Sequence, residues 1–459
     1  MSKSIIEHDY IVIGAGSGGL LVAVGLLKLG KDVIVVSENV GGDCTHYGCV
    51  PSKTLLHLAK GYHSERDLNK KESLKRQALQ TVRDMIQSFT TEEEKIIPEN
   101  RYIQGKAQFI TTDCITVLSN DKQLDVKAKK RIIIATGSST LRIKIPGVPN
   151  EKLITNEEFF SLNSLPKSIS IIGGGPVGAE FATACAAFGI ETHLISRSYL
   201  DKEPKVLSVK SLDLLQQSGV KYHAARPDSL KNGILQLDDG SEIKETEYYL
   251  LALGRKPNMA LNLEKAQVEY NETGIIVNKN LTTTNSHIFA IGDCTQSPQF
   301  THLAANHGKF VLKKLLIPFV QRRERALPHV TFVNPPIASV GYIRETAHAH
   351  IFELDFSALD RARTNFDSNS FGIVSVNMVS GHLLGVSLIG DFSEELINVF
   401  TLMIDEQISI LSMSDFISPY PTYGNIFHTL SRDYLSFMSA HWKSHPIGSI
   451  KQIIRYIYS

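Results

Sequence analysis

Two cysteines, Cys44 and Cys49, stand in the run Gly41-Gly42-Asp43-Cys44-Thr45-His46-Tyr47-Gly48-Cys49-Val50-Pro51-Ser52-Lys53. The residues between them can close a small disulfide ring if the chain kinks, and Gly48 makes a kink cheap. After Cys49 the chain reads as a helix start. Pro51 suits a first turn, and Thr54, Leu55, Leu56, Leu58 and Ala59 follow with helical character. A thiol near a helix N-terminus has its thiolate favoured by the dipole, which makes it reactive. On these residues alone two other readings stay open. One is a pair of ordinary thiols. The other is a metal site of Cys44, His46 and Cys49, for which no second ligand cluster completes a four-coordinate set.

The elements that would position this pair begin just before it. Tyr10–Ile13 is a continuous apolar run, the mark of a buried parallel strand. Gly14-Ala15-Gly16-Ser17-Gly18-Gly19 follows, then a helix over Leu20–Leu29 and a second strand over Val33–Val36. This is G-x-G-x-x-G between strand and helix, the setting a dinucleotide fingerprint requires. Gly14 permits the tight turn, Gly16 lets a pyrophosphate approach the helix N-terminus, and Gly19 lets helix and strand pack closely. An acid should end the second strand to bind a ribose. Ser37 holds that place and Glu38 follows, so Glu38 is a shifted ribose ligand. A second fingerprint runs Gly173-Gly174-Gly175-Pro176-Val177-Gly178-Ala179-Glu180 after the strand-like Ile169–Ile172. Two fingerprints mean two dinucleotides or an internal duplication, and a flavin and a nicotinamide in one chain have a chemical purpose.

The motif G-G-x-C-x-x-x-G-C-x-P-S-K, matched here at every fixed position, resembles that of the class I pyridine nucleotide-disulfide oxidoreductases. These include dihydrolipoamide dehydrogenase, glutathione reductase and mercuric reductase, and Asp43 with His46-Tyr47 looks most like the mercuric-reductase branch. Ala135-Thr136-Gly137-Ser138, Gly254-Arg255-Lys256-Pro257-Asn258, and Ala290-Ile291-Gly292-Asp293 extend the resemblance over nearly the whole chain. It implies an α/β fold of two Rossmann-type dinucleotide-binding domains, the second inserted in the first, and a C-terminal α+β dimerisation domain. The expected boundaries are 1–148 and 274–326 for FAD, 149–273 for NAD(P)H and 327–459 for dimerisation.

The resemblance also implies roles. NADPH reduces FAD, and FAD reduces a Cys44–Cys49 disulfide, with Cys49 facing the flavin and Cys44 attacking the acceptor. Lys53 pairs with Glu180 beside the flavin. FAD is held by Gly14, Gly16, Gly19, Glu38, Gly42, Lys53, Thr136, Gly137, Gly292 and the ribityl-binding Asp293. The nicotinamide dinucleotide is held by Gly173, Gly175, Gly178, Glu180 and Gly254. Arg197 follows Ser196, which stands where an NAD-preferring site has its acid, so Arg197 favours a 2′-phosphate and NADPH over NADH. Thr301–Ala305 resembles the segment whose helix N-terminus faces the flavin ring.

One segment departs from the pattern. Disulfide reductases of the family carry H-P-T-x-x-E in the C-terminal domain, a proton-transferring histidine with its orienting glutamate. Here Pro419-Tyr420-Pro421-Thr422-Tyr423-Gly424-Asn425 places Tyr420 and Asn425 at those positions. A phenol with a pKa of about 10 is a poor base at neutral pH. Mercuric reductases also have tyrosine there, which fits a metal-ion or other non-disulfide acceptor. They carry a further C-terminal cysteine pair as well, and no cysteine follows Cys294 here. A lipoamide or glutathione disulfide reductase is the alternative. Readings of other kinds are a redox-sensing, partner-binding flavoprotein and a flavin reductase or oxidase whose cysteines are bystanders.

Bulk properties narrow the rest. At 459 residues the chain suggests two to four domains. A formal charge of +1 with both signs interspersed is no footprint for nucleic acid. Five cysteines do not make a secreted disulfide framework, and Cys114 and Cys185 read as packed core thiols. No secretory leader or membrane-spanning run is legible, so the expectation is a cytoplasmic homodimer without a bound metal. Residues from Leu55 to about Pro98 read as a charged, solvated helical excursion with no chemistry. Ile447, Ile450, Ile454 and Ile457 fall at helical spacing. They read as a stripe packed on the protein's own interface domain rather than as a surface that docks a membrane or a partner.

Overall fold

The computed structural model describes residues 5–119 and 122–441. The chain divides into two compact units, Met1–Ile172 with Pro227–Arg323, and Gly173–Arg226 with Glu324–Ser459. The isoleucine stripe at 447–457 lies outside the described residues.

The first unit is built on a sheet ordered β3-β2-β1-β6-β5-β4. Its strands are β1 (Ile5–Ala15), β2 (Val33–Val40), β3 (Tyr102–Gln104), β4 (Lys106–Phe109), β5 (Cys114–Ser119) and β6 (Lys122–Ile134). β1 runs parallel to β2 and to β6, with Ile11 opposite Ile34 and Ile132. The strand Ile288–Ala290 pairs parallel to β6, so the late Gly292-Asp293 turn is delivered beside the first fingerprint. Both faces of the sheet are covered, as continuous apolar strands require. Ile11, Ile13, Ile34 and Ile132 pack on one face. On the other, Val12, Val33 and Val35 meet Val22, Ala23 and Leu26 of helix α1 (Ser17–Lys28).

The charged excursion is helical as expected and is made of two helices. A short helix α2 (Gly42–His46) precedes α3 (Cys49–Ser64), and α4 (Leu68–Glu94) begins afresh. The break has a local cause. The Asp67 side chain accepts from the backbone N–H groups of Asn69 and Lys70, capping a new helix start.

The second unit holds the helix Pro176–Ala187 and the parallel strands Glu191–Ile195 and Lys221–His223. It also holds an antiparallel sheet. From one edge the order is His329–Thr331, Ile337–Gly341, Leu383–Ile389, Phe371–Asn377, Ala349–Asp355. Phe400 of the helix Ser393–Asp405 and Leu430 and Tyr434 of the helix Ile426–Ala440 are buried in one core with Val374 and Val386 of the sheet.

Candidate active site

The first fingerprint folds as a turn that only glycine tolerates. Gly14 has φ +105°, and a Cβ there would lie 2.2 Å from the Ala135 carbonyl oxygen. A Cβ on Gly19 would lie 1.9 Å from the Gly14 oxygen, which is the close packing of helix on strand. Gly16 begins α1 without a side-chain cap, so the first N–H groups of the helix are left for a ligand. They open on a cavity of about 1160 Å³. Gly14, Gly16, Gly42, Thr136, Gly137, Gly292 and Asp293 line it, as do Glu38 at one end and Cys44. The Glu38 carboxylate is exposed and lies 3.3 Å from Lys106 Nζ.

A chain of polar contacts joins the redox loop to the Gly292-Asp293 turn. Arg255 Nη2 lies 2.8 Å from Asp43 Oδ1. Its Nε donates to Ser138 Oγ at 2.8 Å, and Ser138 Oγ donates to Asp293 Oδ2 at 2.9 Å. Burial pushes the Asp293 carboxyl above the usual carboxylate range, against the pull of Ser138 and Arg255. The sequence marked both ends of this chain but not its middle. Ser138 and Arg255 belong to the A-T-G-S and G-R-x-P-N segments, and nothing in either says that they meet.

The cysteine pair sits between helix starts. Gly41 turns the chain in the left-handed region at φ +93°, and Cys44 lies half-buried in α2. Gly48 is not left-handed; it is close-packed, because a Cβ there would lie 3.0 Å from the Asp43 oxygen and the Cys44 Cα. Cys49 is the exposed first residue of α3, and both cysteines are thiols. Cys49 Sγ lies 3.6 Å from the hydroxyl of Thr301, the first residue of the helix Thr301–Leu316, and Thr301 lines the cavity. The Cys49 sulfur, then burial, push the Cys44 thiol well up, while Thr301 pulls it down. The two neighbouring sulfurs thus oppose ionisation of both thiols at once, and the helix start at Cys49 suits a thiolate. Lys53 is half-buried on α3 one turn beyond Cys49. His46 Nε2 bonds the Val40 carbonyl at 2.7 Å. Among the described residues no three His, Cys, Asp or Glu side chains assemble as a metal site, so Cys44, His46 and Cys49 do not form one.

In the second unit the second fingerprint is shaped like the first. Gly173 has φ +119°, and a Cβ on Gly174 would lie 2.2 Å from the Ser198 oxygen. Gly175 precedes Pro176 at the start of its helix, again without a side-chain cap, and Gly178 is buried within that helix. Glu180 is buried in the same helix, where Oε1 accepts from Phe332 N at 3.0 Å. Arg197 is exposed in the loop after Glu191–Ile195. Tyr420 is 75% exposed, and its hydroxyl donates to Asp360 Oδ2 at 2.7 Å, which pushes the phenol's pKa up. Asn425 Oδ1 accepts from Thr422 N at 3.1 Å as part of a helix cap. Gly254, in the first unit, is left-handed at φ +101° and is not on the cavity wall.

The family model described as pyridine nucleotide-disulphide oxidoreductase matches residues 8–308, and the model of that family's dimerisation domain matches residues 327–431. The chain belongs to this family. A dihydrolipoyl dehydrogenase of Buchnera aphidicola is 30% identical, over 91% of this chain and 93% of its own length. A mercuric reductase of Bacillus cereus is 28% identical, over 91% of this chain and 70% of its own. Among solved structures, the Cu(II) complex of the HOCl-induced flavoprotein disulfide reductase RclA from Escherichia coli aligns with a TM-score of 0.84. It is 26% identical, over 94% of this chain and 99% of that one. The protein is thus an FAD-dependent oxidoreductase that uses a nicotinamide dinucleotide.

The residues present fit the family's flavin. The uncapped start of α1 suits a pyrophosphate. The left-handed Gly14 and Gly292 hold the backbone where side chains would obstruct it, and the half-buried Asp293 offers a carboxylate to a polyol chain.

Proposed function

We propose that the protein carries electrons from NADPH through FAD to the Cys44–Cys49 pair, and from there to a metal ion rather than a disulfide. The observation that carries the acceptor is Tyr420. It stands where the family's disulfide reductases have their proton-transferring histidine, and its hydroxyl is already engaged with Asp360. Asn425, in the glutamate's place, is occupied by the Thr422 N–H. Neither side chain, so engaged, is a general base for thiol–disulfide exchange. A metal ion needs none, because thiolates bind it directly. Mercuric reductases stand among the relatives, and RclA has been solved as a Cu(II) complex.

Bound FAD supplies the hydride acceptance and electron-pair transfer that no side chain can perform. In this reading Cys49 at the start of α3 is the thiol toward the flavin, Cys44 meets the acceptor, and Lys53 and Glu180 serve the flavin. When the pair is oxidised, two electrons and two protons leave the thiols and the S–S bond forms. One ion takes both electrons, or two ions take one each. Arg197 beside Ser196 supports NADPH over NADH. The domain order expected from the two fingerprints, a homodimer built through the C-terminal domain and a cytoplasmic location belong to the same reading. A lipoamide or glutathione disulfide acceptor is the second reading, favoured by the 30% identity to a dihydrolipoyl dehydrogenase.

Anaerobic stopped-flow decides between them. Enzyme reduced by NADPH is mixed with Hg(II), Cu(II), lipoamide or glutathione disulfide, and flavin reoxidation is timed. Metal ions should reoxidise it faster than either disulfide by roughly 10²–10⁴, the worth of general acid–base help. Faster reoxidation by a disulfide would overturn the metal-ion acceptor.

A further inference from the structure

The long helix α4 brings one side chain to the redox loop. Glu93, the penultimate residue of α4, receives a hydrogen bond from Thr45 Oγ1 to its Oε1 at 3.0 Å. Thr45 is buried, at 3% exposure, and follows Cys44 directly. The other carboxyl oxygen, Oε2, is buried without a hydrogen-bond partner among the described residues. It rests on Gly41, where a Cβ would come within 2.1 Å of it. An unsatisfied buried oxygen is costly, and one at the C-terminal end of a helix more so if charged. Burial accordingly pushes the Glu93 carboxyl up, against Thr45 and the charge of His46.

We propose that Glu93 is a positioning residue of the redox pair: through Thr45 it fixes the short helix that carries Cys44, and so favours the Cys44–Cys49 disulfide over the dithiol. This rests on the reading that the two cysteines cycle. A disulfide demands Cβ atoms about 3.5–4.5 Å apart. A helix free to wander must surrender that freedom before the S–S bond can form. A tethered one has already done so in the dithiol, so less freedom is lost when the disulfide forms. The step itself is ordinary: the disulfide gains two electrons and two protons and becomes two thiols.

The test is an equilibrium, read on the FAD-bound enzyme in reduced and oxidised glutathione buffers. Thiols are alkylated, and the oxidised fraction of the Cys44–Cys49 peptide is read by mass. Glu93→Ala and the nearly isosteric Thr45→Val should each shift the equilibrium about tenfold toward the dithiol, about 30 mV in potential. Glu93→Gln keeps an acceptor oxygen for Thr45 and should stay within about twofold of the wild type, a rescue that mere loss of packing does not explain. If the wild type forms no Cys44–Cys49 disulfide in any buffer, the cycling itself is wrong and the proposal falls with it. If the wild-type couple titrates but Thr45→Val leaves it unmoved, the tether alone is wrong. Glu93→Gln behaving like Glu93→Ala would also overturn it. Should Glu93→Ala fail to fold, Thr45→Val carries the decision.

Discussion

At the scale of single side chains, the proposed choice of acceptor rests on Tyr420 and Asn425. Tyr420 and Asn425 occupy the places of an acid–base dyad, and both are committed to neighbours. Restoring the dyad with Tyr420→His and Asn425→Glu should raise turnover with lipoamide by roughly 10²–10⁴. The exchange at 425 keeps a side chain able to complete the Thr422 cap, so the local fold is spared. Steady-state assays of NADPH oxidation with lipoamide check this, and an unchanged rate would remove Tyr420 as the cause. Arg255 makes a different kind of commitment. It bridges Asp43 to Ser138, and its loss leaves partly buried partners uncompensated. Arg255→Gln should therefore lower stability by about 1–3 kcal/mol, measured by urea unfolding followed by circular dichroism.

Elements carry these residues to one another, and one joint between elements is sensitive to pH. His307, buried in the helix Thr301–Leu316, accepts from Gly292 N at Nδ1, beside Asp293. Its Nε2 has no partner among the described residues. Burial, with the Arg322 charge adding to it, lowers its pKa to about 4. The folded state thus refuses a proton that the unfolded chain accepts at about 6.5. Stability is complete above that value and is lost as pH falls from about 6.5 toward 4. The loss amounts to up to about 3 kcal/mol, because each tenfold difference in proton affinity between the two states is worth about 1.4 kcal/mol. His307→Gln offers an acceptor without a titrating ring. The difference between wild-type and variant unfolding free energies should shrink across that window, and a pH-independent difference would show that the ring does not titrate there.

At the largest scale, the second unit exposes several large apolar side chains. Phe366 is 95% exposed and Ile417 93%, with Leu402 at 55%. The family's dimerisation model matches this region, and such surface is what an interface covers. Sedimentation velocity should find a dimer, and Ile417→Asp should weaken it at least about tenfold, the roughly 1.4 kcal/mol that one well-buried side chain easily supplies. A monomer at all concentrations would show that this surface covers no subunit interface.

How much was legible in the chain follows the range of the forces involved. The fingerprint turns, the helix start at Cys49 and the strands around them are local matters, set by glycine's freedom and by apolar continuity over a few residues, and the sequence alone determined them. Two central strands of the first unit's sheet were legible for the same reason, since Tyr10–Ile13 and Val33–Val36 read as strands from their apolar continuity. Only the tertiary structure decided which distant polar groups meet. Nothing in residues 68–94 distinguishes Glu93 from Glu92 or Glu94 until α4 is laid against the redox loop. Arg255, Ser138 and Asp43 come from three separate stretches. Polar contacts of this kind depend on positions to within a hydrogen bond's length, and local pattern does not hold that information; the packing of one element on another does.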